Sequence, residues 1–157
     1  MRPILLLILL FVSGHEVSSQ VKPKTKTSRS LLMPGEVLKK DSQQTEISGF
    51  FRSIEKAVSE GSIEPVVSSF ATSVFVNVTS GQSGYLSASQ AASVLANYFG
   101  ARKPLGFKFS RMNDTGPAPY ATGRFSFVQN GTQGASQVYV SLTNQGSHWV
   151  ISQFNIY

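Results

Sequence analysis

The chain has 157 residues, of which 41% are apolar, 14% charged and none cysteine, and its formal net charge is +6. That length suits one domain with appendages, and the apolar share excludes wholesale disorder. Without cysteine there is no disulfide scaffold, no thiolate metal site, no thiol catalysis and no lipid anchor of the bacterial lipoprotein kind.

The charge is unevenly placed. Lys22, Lys24, Lys26, Arg29, Lys39 and Lys40 crowd the stretch before residue 44. Beyond it Arg52, Lys56, Arg102, Lys103, Lys108, Arg111 and Arg124 are nearly balanced by Glu46, Glu55, Glu60, Glu64 and Asp114. A nucleic-acid-binding domain gathers Lys and Arg on its folded part, so nucleic acid is not an expected partner.

In chain order, Met1-Arg2-Pro3 gives a short positive start to the apolar run at residues 4–12. That run falls short of the roughly 20 residues a bilayer span needs and reads as the core of a signal peptide covering residues 1–14. The expected product is exported, periplasmic or extracellular, with no lipid anchor and no transmembrane segment after cleavage. Residues 15–44, rich in Ser, Thr, Lys and Gln, read as a flexible basic linker. Lys22-Pro23-Lys24-Thr25-Lys26 is there either solvated spacer or a contact to an anionic surface, and Leu31-Leu32-Met33 is the linker's one apolar patch.

The domain is expected over residues 45–157. Ile47, Phe50, Phe51, Ile54 and Val58 recur at helical spacing and Gly61 stops the helix. A second, short helix follows, with Ser62 as its N-cap and Pro65 in its first turn. Val74, Val76 and Val78 alternate as a strand. Ser87-Ala88-Ser89-Gln90 matches a capping box, and Ala91, Val94, Leu95 and Tyr98 form the stripe of a third helix ended by Gly100. Four strands are predicted near 105–111, 119–128, 135–143 and 148–156, separated by turn sequences that include Asn130-Gly131 and Asn144-Gln145-Gly146. Connections this short make an α+β domain: a curved antiparallel sheet of four main strands plus a short N-terminal strand, with three helices on one face.

Apolar matching predicts the register. Phe107 falls opposite Phe125 and Phe109 opposite Gly123; in the next hairpin Phe125 faces Val138, Gly123 faces Val140 and Ala121 faces Leu142. Lys108, Arg124 and Tyr139 then fall on the other, outer face. A bulge near Ser152-Gln153 brings Trp149, Ile151, Phe154 and Ile156 to the core side.

This order of elements, with the Ile54-to-Val58 helix face, the helix and turn at 61–70, Val74-Phe75-Val76 and the closing Trp149-Val150-Ile151 strand, resembles the nuclear transport factor 2-like superfamily. Its fold is a cone of curved sheet wrapped on three helices. The exported layout and the ending Trp149-Val150-Ile151-Ser152-Gln153-Phe154-Asn155-Ile156 look like a narrower bacterial family, domain of unknown function 4783. Members of that family often resemble lipoproteins, a habit from which this cysteine-free chain departs.

The resemblance implies a mouth in the cone where enzymes of the superfamily place an Asp, Glu or His as general base. The predicted strands after the third helix carry no Asp or Glu. Glu46, Glu55, Glu60 and Glu64 fall off the apolar stripes of their helices, Asp114 sits in a turn where Asp commonly bonds backbone, and His148 reads as a strand-end surface residue. No catalytic residue, metal site or cofactor is therefore assigned. A binding site in the cone would involve Tyr85, Tyr98, Phe109, Arg111, Gly123 and Trp149. Gly123 either leaves a cavity or permits sheet curvature and close approach, while Arg111 either meets an anionic group or reaches solvent. Lys108, Arg124 and Tyr139 mark a candidate interaction surface, either for an anion or for a partner; the resemblance implies pairing of two copies through that face. The expected function is an exported, non-enzymatic binding or interaction domain for a small amphipathic or anionic molecule or a protein partner. The alternative is an acid–base enzyme of the isomerase, dehydratase or hydrolase type.

Overall fold

The computed structural model describes residues 34–79 and 81–157; the expected signal peptide, the 22–26 lysine cluster and the patch at 31–33 lie outside them. Helix α1, Pro34–Ser59, buries Ile47, Phe51, Ile54 and Val58 of the predicted stripe and leaves Phe50 half-buried. Gly61, at φ 70°, terminates it in the left-handed region that glycine adopts without strain. The helix begins inside the stretch expected to be linker. Pro34 suits a first helical position, and Glu, Leu, Lys and Gln all favour helix. Residues 39–43 are exposed, so no buried stripe advertises that first part. A tie to the domain follows: Gln44 Nε2 and Ser48 Oγ donate to Asp114 at 3.1 and 3.2 Å.

The short second helix is a 3₁₀ turn, Glu64–Ser69, capped by Ile63 without a side-chain bond. Ser62 is therefore not the cap: the helix starts one residue later, and Ser62 N–H donates back to Ala57 O at 3.0 Å, at the end of α1.

Six strands form one curved, unclosed sheet: β1 Phe70–Val78, β2 Ser83–Ser87, β3 Lys103–Asn113, β4 Tyr120–Gln129, β5 Thr132–Asn144 and β6 Trp149–Ile156. Their order is β2-β1-β6-β5-β4-β3. All neighbours are antiparallel except β1 and β6, which run parallel. The strand count thus exceeds the predicted four plus one. Strand β2 escapes the pattern because Gly81 and Gly84 read as a turn and only Tyr85 and Leu86 carry an apolar signal before the helix cap. Helix α2, Ala88–Gly100, begins as predicted: Ser87 Oγ accepts from Gln90 N–H, and Ser87 N–H donates to Gln90 Oε1 at 3.0 Å.

The β3–β4 register is the predicted one, with Phe107 opposite Phe125 and Phe109 opposite Gly123. The β4–β5 register differs by two residues: Gly123 pairs with Val138 and Ala121 with Val140. The predicted pairing centres the hairpin on Asn130-Gly131-Thr132-Gln133, but Asn130 and Gly131 both adopt positive φ, 51° and 78°, and close it as a two-residue turn. Because side chains alternate with period two, the faces survive this shift. In β6 the predicted bulge is present, with Ser141 opposite Gln153 but Leu142 opposite Ile151. Trp149, Ile151, Phe154 and Ile156 are all buried. The core lies between the inner sheet face and the two α-helices.

Candidate functional site

The inner face is occupied by interlocking rings. Phe99 from α2 meets Phe125 and Phe154 edge-on at 5.2 and 6.2 Å, and Phe51 from α1 meets Phe109 at 5.7 Å. Phe107 and Phe125 extend the array through Phe109 and Phe127 at 4.9 and 5.3 Å. Phe109, held in this array, and Trp149, 4% exposed, are core residues. Gly123 provides close approach: a Cβ there would lie 2.8 Å from Phe107 Cε2 and press on Lys108 O. The space its missing side chain releases is already filled by the neighbouring strand.

Two other candidates, Arg111 and Tyr85, fall elsewhere than expected, whereas Tyr98 keeps its place on the buried stripe of α2. Arg111 does not share the core-facing phase. A bulge between Phe109 and Arg111 sets Arg111 opposite Thr122, on the outer face, where it is exposed. Tyr85, 75% exposed, packs edge-on against Phe75 at 5.2 Å on the same outer face of β2 and β1. Tyr98 is buried, and its hydroxyl is engaged with Ser136 Oγ at 2.7 Å.

Sequence reasoning gave no role to three residues that organise this region. Arg102 Nη1 donates to Tyr98 O at 2.7 Å, with its guanidinium 3.7 Å from the Tyr98 ring centroid and 5.2 Å from that of Phe127. It closes the C-terminal end of α2, a position where a cation meets the negative end of the helix dipole. Glu55 Oε2 accepts from Phe109 N–H, and Ser59 Oγ donates to Phe107 O, each at 2.9 Å. Helix α1 thereby satisfies backbone groups along the outermost strand of the sheet. Asp114 is tied to α1 rather than bonding its own turn; Asn113 Oδ1 does that, accepting from Thr115 N–H and Oγ1–H.

Among the described residues no strand contains Asp, Glu or His. His148 is exposed at the mouth of the β5–β6 turn. Among the described residues no group of three or more His, Asp or Glu is placed to hold a metal ion, and no helix is long and apolar enough to cross a membrane.

The outer face is polar and cationic. Lys108 stands directly opposite Arg124, and Gln137 is the next residue in that row; Arg111, Thr122, Tyr139 and Asn155 form another row. Lys103 pairs with Val128 in the same phase. The Tyr120 and Tyr139 rings stack at 5.8 Å with an interplanar angle of 22°. A shallow recess of about 180 Å³ opens between Ser110, Arg124, Ala135 and Gln137. The fold therefore gathers four of the seven cations that follow residue 44, while Arg52 and Lys56 stay with the acids on α1. Lys103, Lys108, Arg111 and Arg124 share one face, whereas the acids sit on α1, the 3₁₀ turn and the β3–β4 loop.

A family model described as Domain of unknown function (DUF4783) matches residues 51–157. A DUF4783 family protein from Bacteroides uniformis is 16% identical, with a TM-score of 0.60 over 67% of this chain and 93% of its own. One from Bacteroides ovatus is 18% identical, with a TM-score of 0.59 over 66% of this chain and 90% of its own. A nuclear transport factor 2-like superfamily protein from Salmonella enterica is 15% identical, with a TM-score of 0.58 over 75% and 92%. No curated protein matches the chain.

Proposed function

The chain belongs to the DUF4783 family, and on that premise we propose that it is an exported, non-catalytic interaction domain whose working surface is the outer face of its sheet. The observation that carries this reading is the contrast in occupancy across the sheet. The inner face is packed with Phe51, Phe99, Phe109, Phe125 and Phe154, whose rings contact one another across the sheet and the two helices. The outer face presents Lys108, Arg124 and Tyr139 to solvent or half-exposed. An acid–base enzyme needs an ionisable group held beside its substrate; among the described residues the strands carry no carboxylate or imidazole, and the carboxylates tied to the sheet end, Glu55 and Asp114, are engaged with Phe109 N–H and with Gln44 and Ser48. The apolar run at residues 4–12 supports export.

Native mass spectrometry of the gently purified full chain tests this reading. The expected result is the mass of the protein alone; a stoichiometric small-molecule adduct lost on substitution of Phe99 or Phe125 would move the site into the cone and overturn it.

A further inference from the structure

We propose that the β3–β4 half of the outer face binds a linear, polyanionic polysaccharide; the inference rests on the outer-face reading and specifies its partner. Two bulges in β3, at Leu105 and Ser110, reset its phase so that Lys103, Lys108 and Arg111 all align with the outward residues of β4. The stripe runs alongside β4 from Val128 to Thr122, a length of about 20 Å at the usual strand rise. Without the second bulge Arg111 would point into the core.

Lys108 and Arg124 form a cross-strand pair of like charge, an arrangement that opposes folding unless an anion lies close. Neither has a carboxylate partner among the described residues: the ion pair there is Lys56–Glu60, at the C-terminal end of α1. The strands contribute no acid to this face. The uncompensated cations are thus concentrated where the fold gains nothing from them, as expected of a surface completed by a partner.

Three features fit an acidic glycan. The stripe is shallow and extended, which suits a chain rather than a compact ligand. Its charge is sparse, with the Lys108–Arg124 pair flanked by Arg111 beside Thr122 and by Lys103 beside Val128, matching a polymer with one charge per sugar ring better than duplex DNA, with a charge every ~1.7 Å. The stacked Tyr120–Tyr139 pair and the hydroxyl and amide groups of Thr122, Ser110 and Gln137 border the stripe, offering ring contact and hydrogen bonds to sugar hydroxyls.

The test measures binding of the full chain to polygalacturonate, neutral dextran, duplex DNA and phosphatidylglycerol vesicles. Polygalacturonate should bind in a salt-sensitive way and dextran should not. The K108S/R111S/R124S variant should lose about tenfold or more in affinity, with an unchanged circular dichroism spectrum. K22S/K24S/K26S should retain most of the binding. Should the triple variant misfold, R124Q alone carries the test with an expected loss of about threefold. Absence of polygalacturonate binding, or equal binding by wild type and the folded outer-face variant, overturns the proposal. Tighter binding to DNA or vesicles that these substitutions abolish also overturns the glycan assignment, while leaving the outer face as the working surface. The broader reading fails separately, on an adduct in the native mass spectrum.

Discussion

The two faces of the sheet are built from alternate residues of the same strands, yet they obey opposite rules. Along β4, Ala121, Gly123, Phe125 and Phe127 are buried, whereas Thr122, Arg124, Ser126 and Val128 remain partly or fully exposed. The inner set is fixed by packing, where each ring leans on the next and volume is conserved. The outer set is hardly constrained by folding, and its Lys108–Arg124 pair even works against it. Where stability does not select a residue, its chemistry is free to serve recognition.

The contrast can be broken most severely from the inside. Phe99→Ala removes a buried ring that touches Tyr98, Phe125 and Phe154 and should cost about 3–5 kcal/mol in denaturant unfolding. Gly123→Ala adds a single methyl against Lys108 O and the Phe107 ring; a loss of about 1–3 kcal/mol is expected, and an unchanged midpoint would mean that β3 and β4 are not this close. Glu55→Ala takes the acceptor from Phe109 N–H, with an expected cost of about 1–2 kcal/mol and faster hydrogen exchange at that amide. At the far end of the scale, Arg124→Gln should move stability by no more than about 0.5 kcal/mol. A large destabilisation by that outer substitution would erase the distinction between the faces.

Much of this distinction was legible in the sequence, since alternation in β3 to β6 fixes which side each residue takes until a bulge intervenes. The two-residue error at the β4–β5 hairpin left the faces intact because it was even; the bulge before Arg111 did not, because it was odd. Sequence alternation registers neither the extra residue nor the backbone geometry that accommodates it. Arg102, Glu55 and Asp114 were unreadable for a different reason. Their partners lie on other elements, 54 positions away for Glu55 and Phe109, and no local pattern connects them. Strand β2 was hidden by its glycines, and the early part of α1 by its exposure. The family match and the similar solved structures carry the fold, while the grouping of cations emerges only when the strands are laid side by side.

The attachment of α1 to β3 also sets a limit on self-association. Continuous growth of a sheet from copy to copy requires a vacant flank at both ends, and here Ser59 and Glu55 already occupy groups along one of them. A strand added along that flank would have to displace α1 from Phe107 O and Phe109 N–H, whereas no helix contact of this kind guards the β2 flank among the described residues.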